Sequence, residues 1–415
     1  MNPESMLKSS LEELRDLVEK HSRWRSRCLN LCAAENALSP AVLSFLSGSF
    51  VQRYADYVGR DLKNRKYLGT RHIVALEEYV NALAAEVFGA SEVELRPLSG
   101  HVAGNAIIMG LCKPGDCVFE LDRDSGGHRL AAKLATAPLV SLDVQALPFD
   151  CHQYNLDIPA VLEKVARLRP RLVIVGSSNF LFPCDLSALS EGLGAFPDTI
   201  LVYDASHVLG LIAGGRFQKP LEEGSHLVLA GTQKSFPGPQ GGLIYSNSPE
   251  IMNQVSSTLY PALISNHHPA RLPALGMALL EMKAHGASFA ARVIENSQRL
   301  GSCLEAEGLQ AVGSHLNYSQ SHTVLLELPD DHSAMATAGR LDDLGIVTNA
   351  IPLPWSRAGG LRLGTAEITR MGASPEDMAG IASILADAIL DRHTGASISE
   401  RAGTFAASLP GLHFD

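Results

Sequence analysis

The chain has 415 residues, 46% of them hydrophobic and 19% charged, which suits a large globular α/β domain with a smaller partner rather than one ordinary core. A formal net charge of -10 argues against nucleic acid as the main partner, because phosphate neutralisation needs clustered Lys and Arg. No stretch reaches the roughly 18 to 20 unbroken apolar residues of a membrane helix, and the charged start lacks a signal-peptide core, so a cytoplasmic protein with no membrane partner is expected.

In chain order, Leu7, Leu11, Leu14 and Leu17 recur at helical spacing and predict an amphipathic helix that docks on another subunit or domain. Seven cysteines, none in a CxxC pair and only Cys28 and Cys32 closely spaced, read as reduced thiols rather than a disulfide or zinc framework. From about residue 90, the short apolar runs CVFELD, LVSLDVQAL, RLVIVGS, TILVYD, HLVLAG and GGLIYS alternate with helical stretches. This predicts a mostly parallel sheet covered by helices on both faces, with ligands at the carboxyl ends of its strands. Beyond Pro261, a stretch with His267, His268, Pro269 and Pro273 breaks the pattern and leads into a long helical run over 276–308. A smaller α+β unit follows, with strands near HTVLLEL and GGLRLG. Its last clear helix opens at Ser374-Pro375-Glu376-Asp377, a capping box with proline at the first helical position, and carries Met378, Ile381 and Leu385 on one face. The tail from Asp391 to Asp415 has weak periodicity and is expected to lie over a neighbouring surface. The resulting division is an N-terminal arm over 1–48, a large domain over 49–275 and a small domain over 276–415.

The chemistry concentrates at three places. TILVYD ends at Asp204, with His207 three residues on, and HLVLAG runs into Thr232-Gln233-Lys234. If adjacent parallel strands bring both ends to one rim, an amine, a carboxylate and an imidazole meet there. Pyridoxal-5'-phosphate chemistry needs that trio: an amine for a Schiff base, a carboxylate to keep a pyridine nitrogen protonated, and a donor near the phenolic oxygen or substrate carboxylate. The bland alternative is a helix-capping Asp204 and a surface Lys234. Ser99-Gly100 opens a second apolar helix and could present backbone amides to a phosphate, or could be an unliganded cap. Ser125-Gly126-Gly127-His128 presents an imidazole that could stack on a planar ring, or could be a solvated loop.

Taken in order, AAENALSP, RYAD, RKYLG, PLSGH, SGGH, GSSN, YDASHVLGL, GTQKSFPGPQGG and LRLGTAEITRMG resemble the serine hydroxymethyltransferase family from about Leu31 to Arg370. The resemblance implies the aspartate-aminotransferase-like fold type I of pyridoxal-phosphate enzymes, with a seven-stranded, mostly parallel sheet. It assigns Lys234 to the Schiff base, Asp204 to the pyridine nitrogen, His128 to ring stacking, and His207 and Ser178 to the cofactor's phenolic oxygen or the substrate. Ser99 and Gly100 match the phosphate cradle, Tyr54 a tyrosine reaching the phosphate of a neighbouring subunit, Arg362 the clamp on the substrate carboxylate, and Tyr67 an active-site tyrosine. A homodimer with shared sites is implied.

The departures bear on substrate. The family's Tyr-Ala-Glu reads Tyr54-Ala55-Asp56, a folate-facing tyrosine is Lys66, its Ser-Glu-Asn reads Ala34-Glu35-Asn36, the histidine before the lysine is Gln233, and a short NAIPLPWSRAGG precedes Arg362. These features, with Ser265-Asn266-His267-His268 in place of a glycine-rich loop and the tail SLPGLHFD, look like threonine transaldolases of natural-product pathways. The expected activity is folate-independent cleavage and formation of the Cα–Cβ bond of β-hydroxy-α-amino acids through a glycyl quinonoid, with amino-acid and aldehyde substrates. Asp56, Glu35 and His128 are candidate proton carriers. The alternatives are a folate-dependent serine or α-methylserine hydroxymethyltransferase, an aminotransferase on the same fold, and a non-catalytic paralogue; the last is disfavoured because Lys234 and Asp204 are both present.

Overall fold

The computed structural model describes residues 3–412 and is built around a seven-stranded sheet. From edge to edge its strands are Glu92–Glu94, Gly242–Ser246, Leu227–Gly231, Ile200–Asp204, Leu172–Val175, Cys117–Glu120 and Asp143–Ala146. Gly242–Ser246 runs antiparallel to both its neighbours, and the remaining pairings are parallel, as the alternation of strands and helices implies. Every residue of the three central strands is buried, because helices cover both faces and the side chains alternate between them. Val173, Leu201 and Val228 enter one apolar layer, while Leu172, Val202 and Leu229 enter the other.

The second sheet is antiparallel, in the order Gln310–Ala311, Thr323–Glu327, Ser356–Gly364, Asn349–Leu353. Val324, Leu326, Leu361 and Leu363 point into its core, packed with Met378, Ile381 and Leu385 of the helix Met378–Ile389. The capping box ahead of that helix is present, with Ser374 and Asp377 exchanging hydrogen bonds. The chain just after the first helix joins this unit: Leu29–Asn30 pairs in parallel with Ile346–Val347, and Leu29 and Leu31 are fully buried in the same core.

A 36-residue helix, Arg271–Ala306, connects the two layers. Leu272, Leu275, Leu279, Met282, Phe289 and Val293 pack in the large core, whereas Leu300 and Leu304 pack in the small one. Pro273 does not precede this helix but lies in its first turn, where a missing N–H removes no intrahelical bond. The tail also differs from expectation. Gly395–Ser408 is a helix that buries Ile398 and Ala402 in the chain's own small core, a spacing obscured in the sequence by the small residues around it. The final three residues of SLPGLHFD lie outside the described residues. The first helix, Pro3–Arg25, exposes Leu7, Leu11, Leu14 and Leu17, all seven cysteines are free thiols, and no described helix is long and apolar enough to cross a membrane.

One buried polar node fastens the long helix to the small unit. Glu281 accepts from the Ser39 hydroxyl at 2.5 Å and from the Arg370 guanidinium at 3.0 Å, and Arg370 is fully buried. Glu281→Ala leaves a buried cation without its counter-charge, and we expect it to cost about 3–5 kcal/mol. The measurement is the urea midpoint at pH 7, which should fall with an unchanged slope. The double variant Glu281→Leu/Arg370→Met should recover most of the loss.

Candidate active site

Parallel strands that point the same way deliver their following loops to one rim. The carboxyl ends of Leu172–Val175, Ile200–Asp204 and Leu227–Gly231 therefore place Gly176–Ser178, Asp204–His207 and Gly231–Lys234 around one cleft of about 190 Å3. The loop after Cys117–Glu120 adds His128, and the helix Gly100–Leu111 adds Ser99, Gly100 and His101 at its N-terminus. Of the residues singled out in the sequence, Lys234, Asp204, His207, His128, Ser99, Gly100 and Ser178 thus meet in one place.

Two glycines make this approach possible. A Cβ on Gly176 would lie 2.5 Å from Cβ of Asp204, and one on Gly100 would lie 2.9 Å from the backbone nitrogen of Gly231. Asp204 is held by the Ser206 N–H, which donates to Oδ1 at 2.9 Å, and the Ser206 hydroxyl accepts in turn from the Gly231 N–H at 3.0 Å. Ser99 caps its helix, its hydroxyl accepting from the Val102 N–H at 3.2 Å, so the following backbone amides face the cleft with the positive end of the helix.

Arg362 arrives from the other sheet. Leu361 and Leu363 point into the small core, so strand alternation sends Arg362 the opposite way. It donates to the Ser178 carbonyl at 2.8 Å and to Oδ1 of Asn349 at 3.1 Å, while its Nε is buried without a partner. Burial lowers the pKa of its guanidinium from the ordinary value.

Desolvation lowers the pKa of every base in the cleft. Desolvation, opposed by the Asp204 carboxylate and reinforced by Arg362, brings the Lys234 amine down to about 8. Desolvation lowers His207 well below the ordinary imidazole range. His128 is more open at the mouth, where partial desolvation and then the Lys133 ammonium, 3.4 Å from Nε2, bring it down to about 4. The His207 ring stacks on His322, with centroids 5.9 Å apart and planes at 19°. His322 is fully buried; its Nε2 lies 3.0 Å from the Ala33 carbonyl and must carry the proton, which leaves Nδ1 as a bare acceptor. Neither His322 nor Ser206 stood out in the sequence, where one reads as the start of an apolar strand and the other as a turn residue. Ser206 comes to the cleft with the strand end at Asp204, whereas His322 reaches His207 only through the packing of the two sheets.

Four expected site residues stand apart from it within one chain. Tyr54 and Tyr67 are exposed and pack against each other, ring centroids 5.3 Å apart, with the Lys66 ammonium 5.4 Å from the Tyr67 ring. Glu35 turns away to pair with Arg25 at 2.7 Å, although its neighbour Asn36 donates to the Ser235 carbonyl beside Lys234 at 3.2 Å. Asp56 is buried with Oδ1 unpartnered, and desolvation raises its carboxyl above the ordinary range against the pull of His267, Lys66 and Arg65. His267 and Arg65 are themselves joined through Glu77, His267 at 2.6 Å.

The cleft thus offers an amine next to a fixed carboxylate, a helix N-terminus and a buried guanidinium. A model described as serine hydroxymethyltransferase matches residues 7–385. The chain belongs to the serine hydroxymethyltransferase family. It is 33% identical to the serine hydroxymethyltransferase of Aeropyrum pernix, over 98% of this chain and 93% of that one. To the enzyme of the same name from Methanopyrus kandleri it is 36% identical, over 90% and 88%. It also superposes on the solved L-threonine transaldolase of Pseudomonas fluorescens with a TM-score of 0.92 at 27% identity, covering 100% of this chain and 95% of that one. The fold is therefore fold type I, and the cofactor of this family is pyridoxal 5'-phosphate. The donor set fits that group: Nδ1 of His207, Nδ1 of His101 and Oε1 of Gln233 are buried polar atoms on the cleft wall without partners in the protein.

Two outcomes test this geometry. In cofactor-free protein, competitive acetylation of Lys234 should be half-maximal near pH 8 rather than near the ordinary lysine value of about 10.4. Asp204→Asn should move that midpoint lower still, since the carboxylate is what opposes desolvation. Gly176→Ala should push Asp204 out of place, and equilibrium titration should show cofactor affinity at least tenfold weaker in a protein with unchanged far-ultraviolet dichroism.

Proposed function

We propose that this family member cleaves and re-forms the Cα–Cβ bond of β-hydroxy-α-amino acids without tetrahydrofolate, as a threonine transaldolase or aldolase. Bound pyridoxal 5'-phosphate supplies an electron sink for bond cleavage at the amino acid's Cα. With pyridoxal 5'-phosphate bound, Lys234 would hold it, Asp204 would keep its ring nitrogen protonated, and His128 and His207 would serve the ring and its phenolic oxygen. Ser99, Gly100 and the amides that follow would take the phosphate. Arg362 receives the amino acid's carboxylate, a task suited to a planar two-pronged donor already oriented by Ser178 and Asn349. In the overall reaction the Cα–Cβ bond of L-threonine breaks, its hydroxyl proton passes to a base and acetaldehyde leaves. A new bond then joins Cα to the carbonyl carbon of a second aldehyde, whose oxygen takes up a proton. His128, at about 4, is neutral at pH 7 but a weak base there, and it stands with Asp56 and Glu35 as a candidate to accept the hydroxyl proton.

The observation that carries the folate-independent reading is Asp56. At the position of the family's glutamate this chain has a side chain one methylene shorter, and it is buried near Arg65, Lys66 and His267. The likeness of the whole chain to an L-threonine transaldolase supports the same reading. The names of the Aeropyrum pernix and Methanopyrus kandleri relatives favour a serine hydroxymethyltransferase, and the second reading is a folate-dependent enzyme of that type. We also read the chain as a homodimer with shared sites, supported by the exposed leucine face of the first helix and the exposed Tyr54–Tyr67 pair.

The test measures glycine and acetaldehyde release from L-threonine, and one-carbon transfer from L-serine, each across a tetrahydrofolate titration. The expected result is threonine turnover that changes less than twofold with folate. Strongly folate-dependent serine turnover with negligible threonine cleavage overturns the proposal. Borohydride reduction and peptide mapping should place the cofactor on Lys234 and on no other lysine.

A further inference from the structure

A buried thiol that the proposed reaction does not use stands against the arginine clamp. Cys32 lies on the extended segment that follows the strand Leu29–Asn30. That segment is fastened along the small sheet on both sides of the thiol. The Leu31 N–H donates to the Val347 carbonyl at 2.9 Å, and the Leu31 carbonyl accepts from the Gly364 N–H at 2.8 Å. One residue beyond Cys32, the Ala33 carbonyl meets Nε2 of His322 at 3.0 Å, and Ala33 packs so closely on Gly364 that a Cβ there would lie 2.4 Å from its Cα. From this fixed backbone the Cys32 thiol donates to Oδ1 of Asn349 at 3.2 Å.

The same oxygen accepts from Nη2 of Arg362 at 3.1 Å. Asn349 and Arg362 are directly opposed on paired strands, so their side chains share the face of the sheet turned away from the small core. Two donors on one oxygen decide which way the carboxamide points. A half-turn of the side chain would set its NH2 group against a guanidinium that can only donate, and would leave the thiol hydrogen without an acceptor. Burial raises the thiol above its ordinary pKa, against the pull of the Ala34 N–H and Arg362, so the S–H keeps its proton and remains a donor at neutral pH.

Arg362 depends on that carboxamide. Its guanidinium is buried, Nη1 is held by the Ser178 carbonyl at 2.8 Å, and Nε has no partner in the protein. With Nη2 released, the guanidinium would be anchored at one point and free to swing about it. With both Nη atoms held, the direction of the unpartnered Nε is fixed.

We propose that Cys32 is a positioning residue for substrate recognition: by holding the Asn349 carboxamide in one orientation, it keeps Arg362 aimed at the carboxylate of the incoming amino acid. The assignment rests on the reading of Arg362 as the carboxylate clamp and adds the group that sets its aim. Through this thiol the segment after the first helix bears on amino-acid binding without touching the amino acid.

The experiment compares the dissociation constants of glycine and of ethanolamine, which has a hydroxymethyl group in place of the carboxylate, followed by the cofactor absorbance of the holoenzyme. The preference for glycine over ethanolamine reports the carboxylate contact, and a general loosening of the fold would weaken both ligands alike. Arg362→Lys should reduce this preference at least tenfold, and Cys32→Ala about fivefold, the worth of one ordinary hydrogen bond. Cys32→Ser returns a donor and should restore most of the preference. The double variant Cys32→Ala/Asn349→Ala should be no worse than Asn349→Ala, because the thiol acts only through the carboxamide. An unchanged preference in Cys32→Ala, an equal loss in Cys32→Ser, or additive losses in the double variant overturns the role of Cys32 alone. A preference that Arg362→Lys leaves intact overturns the clamp reading itself, and the role of Cys32 with it.

Discussion

The site depends on one buried cation that crosses between the two sheets. Arg362 belongs to the small sheet by backbone pairing, yet its guanidinium is satisfied by a carbonyl at the end of a large-sheet strand. Removing a guanidinium from water is costly, and the cost is offset only where its donors find acceptors in good geometry. Ser178 and Asn349 provide two of them and Nε keeps one in reserve. The small unit is therefore located by hydrogen bonding as well as by apolar contact, and the cleft has its width because this bridge has its length.

Around that bridge the protein keeps its imidazoles neutral and weakens the charge of its amine. Lys234 and His207 lose solvent without a full set of partners, and His322, stacked beneath His207, contributes no charge. The imidazoles are thus unprotonated at neutral pH, whereas Lys234, at about 8, still carries most of its charge there and joins Arg362 in favouring an anionic ligand. The carboxylate of Asp204 is fixed by backbone N–H donation close to the amine it moderates.

Much of this was legible in the sequence because it follows from short-range rules. TILVYD and HLVLAG announce two buried parallel strands, and adjacency of such strands obliges Asp204 and Lys234 to share a rim. The Ser374–Asp377 capping box and the Ser99 cap are local hydrogen-bond patterns and appear as expected. What escaped is what arises from packing between distant segments. His322 meets His207 across 115 positions, and Asn349 orients Arg362 only because their strands are paired in register. The closing helix Gly395–Ser408 was hidden for another reason: alanine, serine and glycine bury well against a tight core but leave almost no hydrophobic signature.

The helix Arg271–Ala306 has a mechanical consequence. At 1.5 Å per residue its 36 residues form a rod of about 54 Å whose two halves are clamped in different cores. Any breathing of the cleft must therefore flex this rod or slide against it, which sets a stiffness on the motion. At its waist the chain has removed side-chain bulk: a Cβ on Gly214 would lie 2.3 Å from the Gly286 carbonyl oxygen. That close backbone contact ties the middle of the rod to the end of the helix Leu209–Ala213.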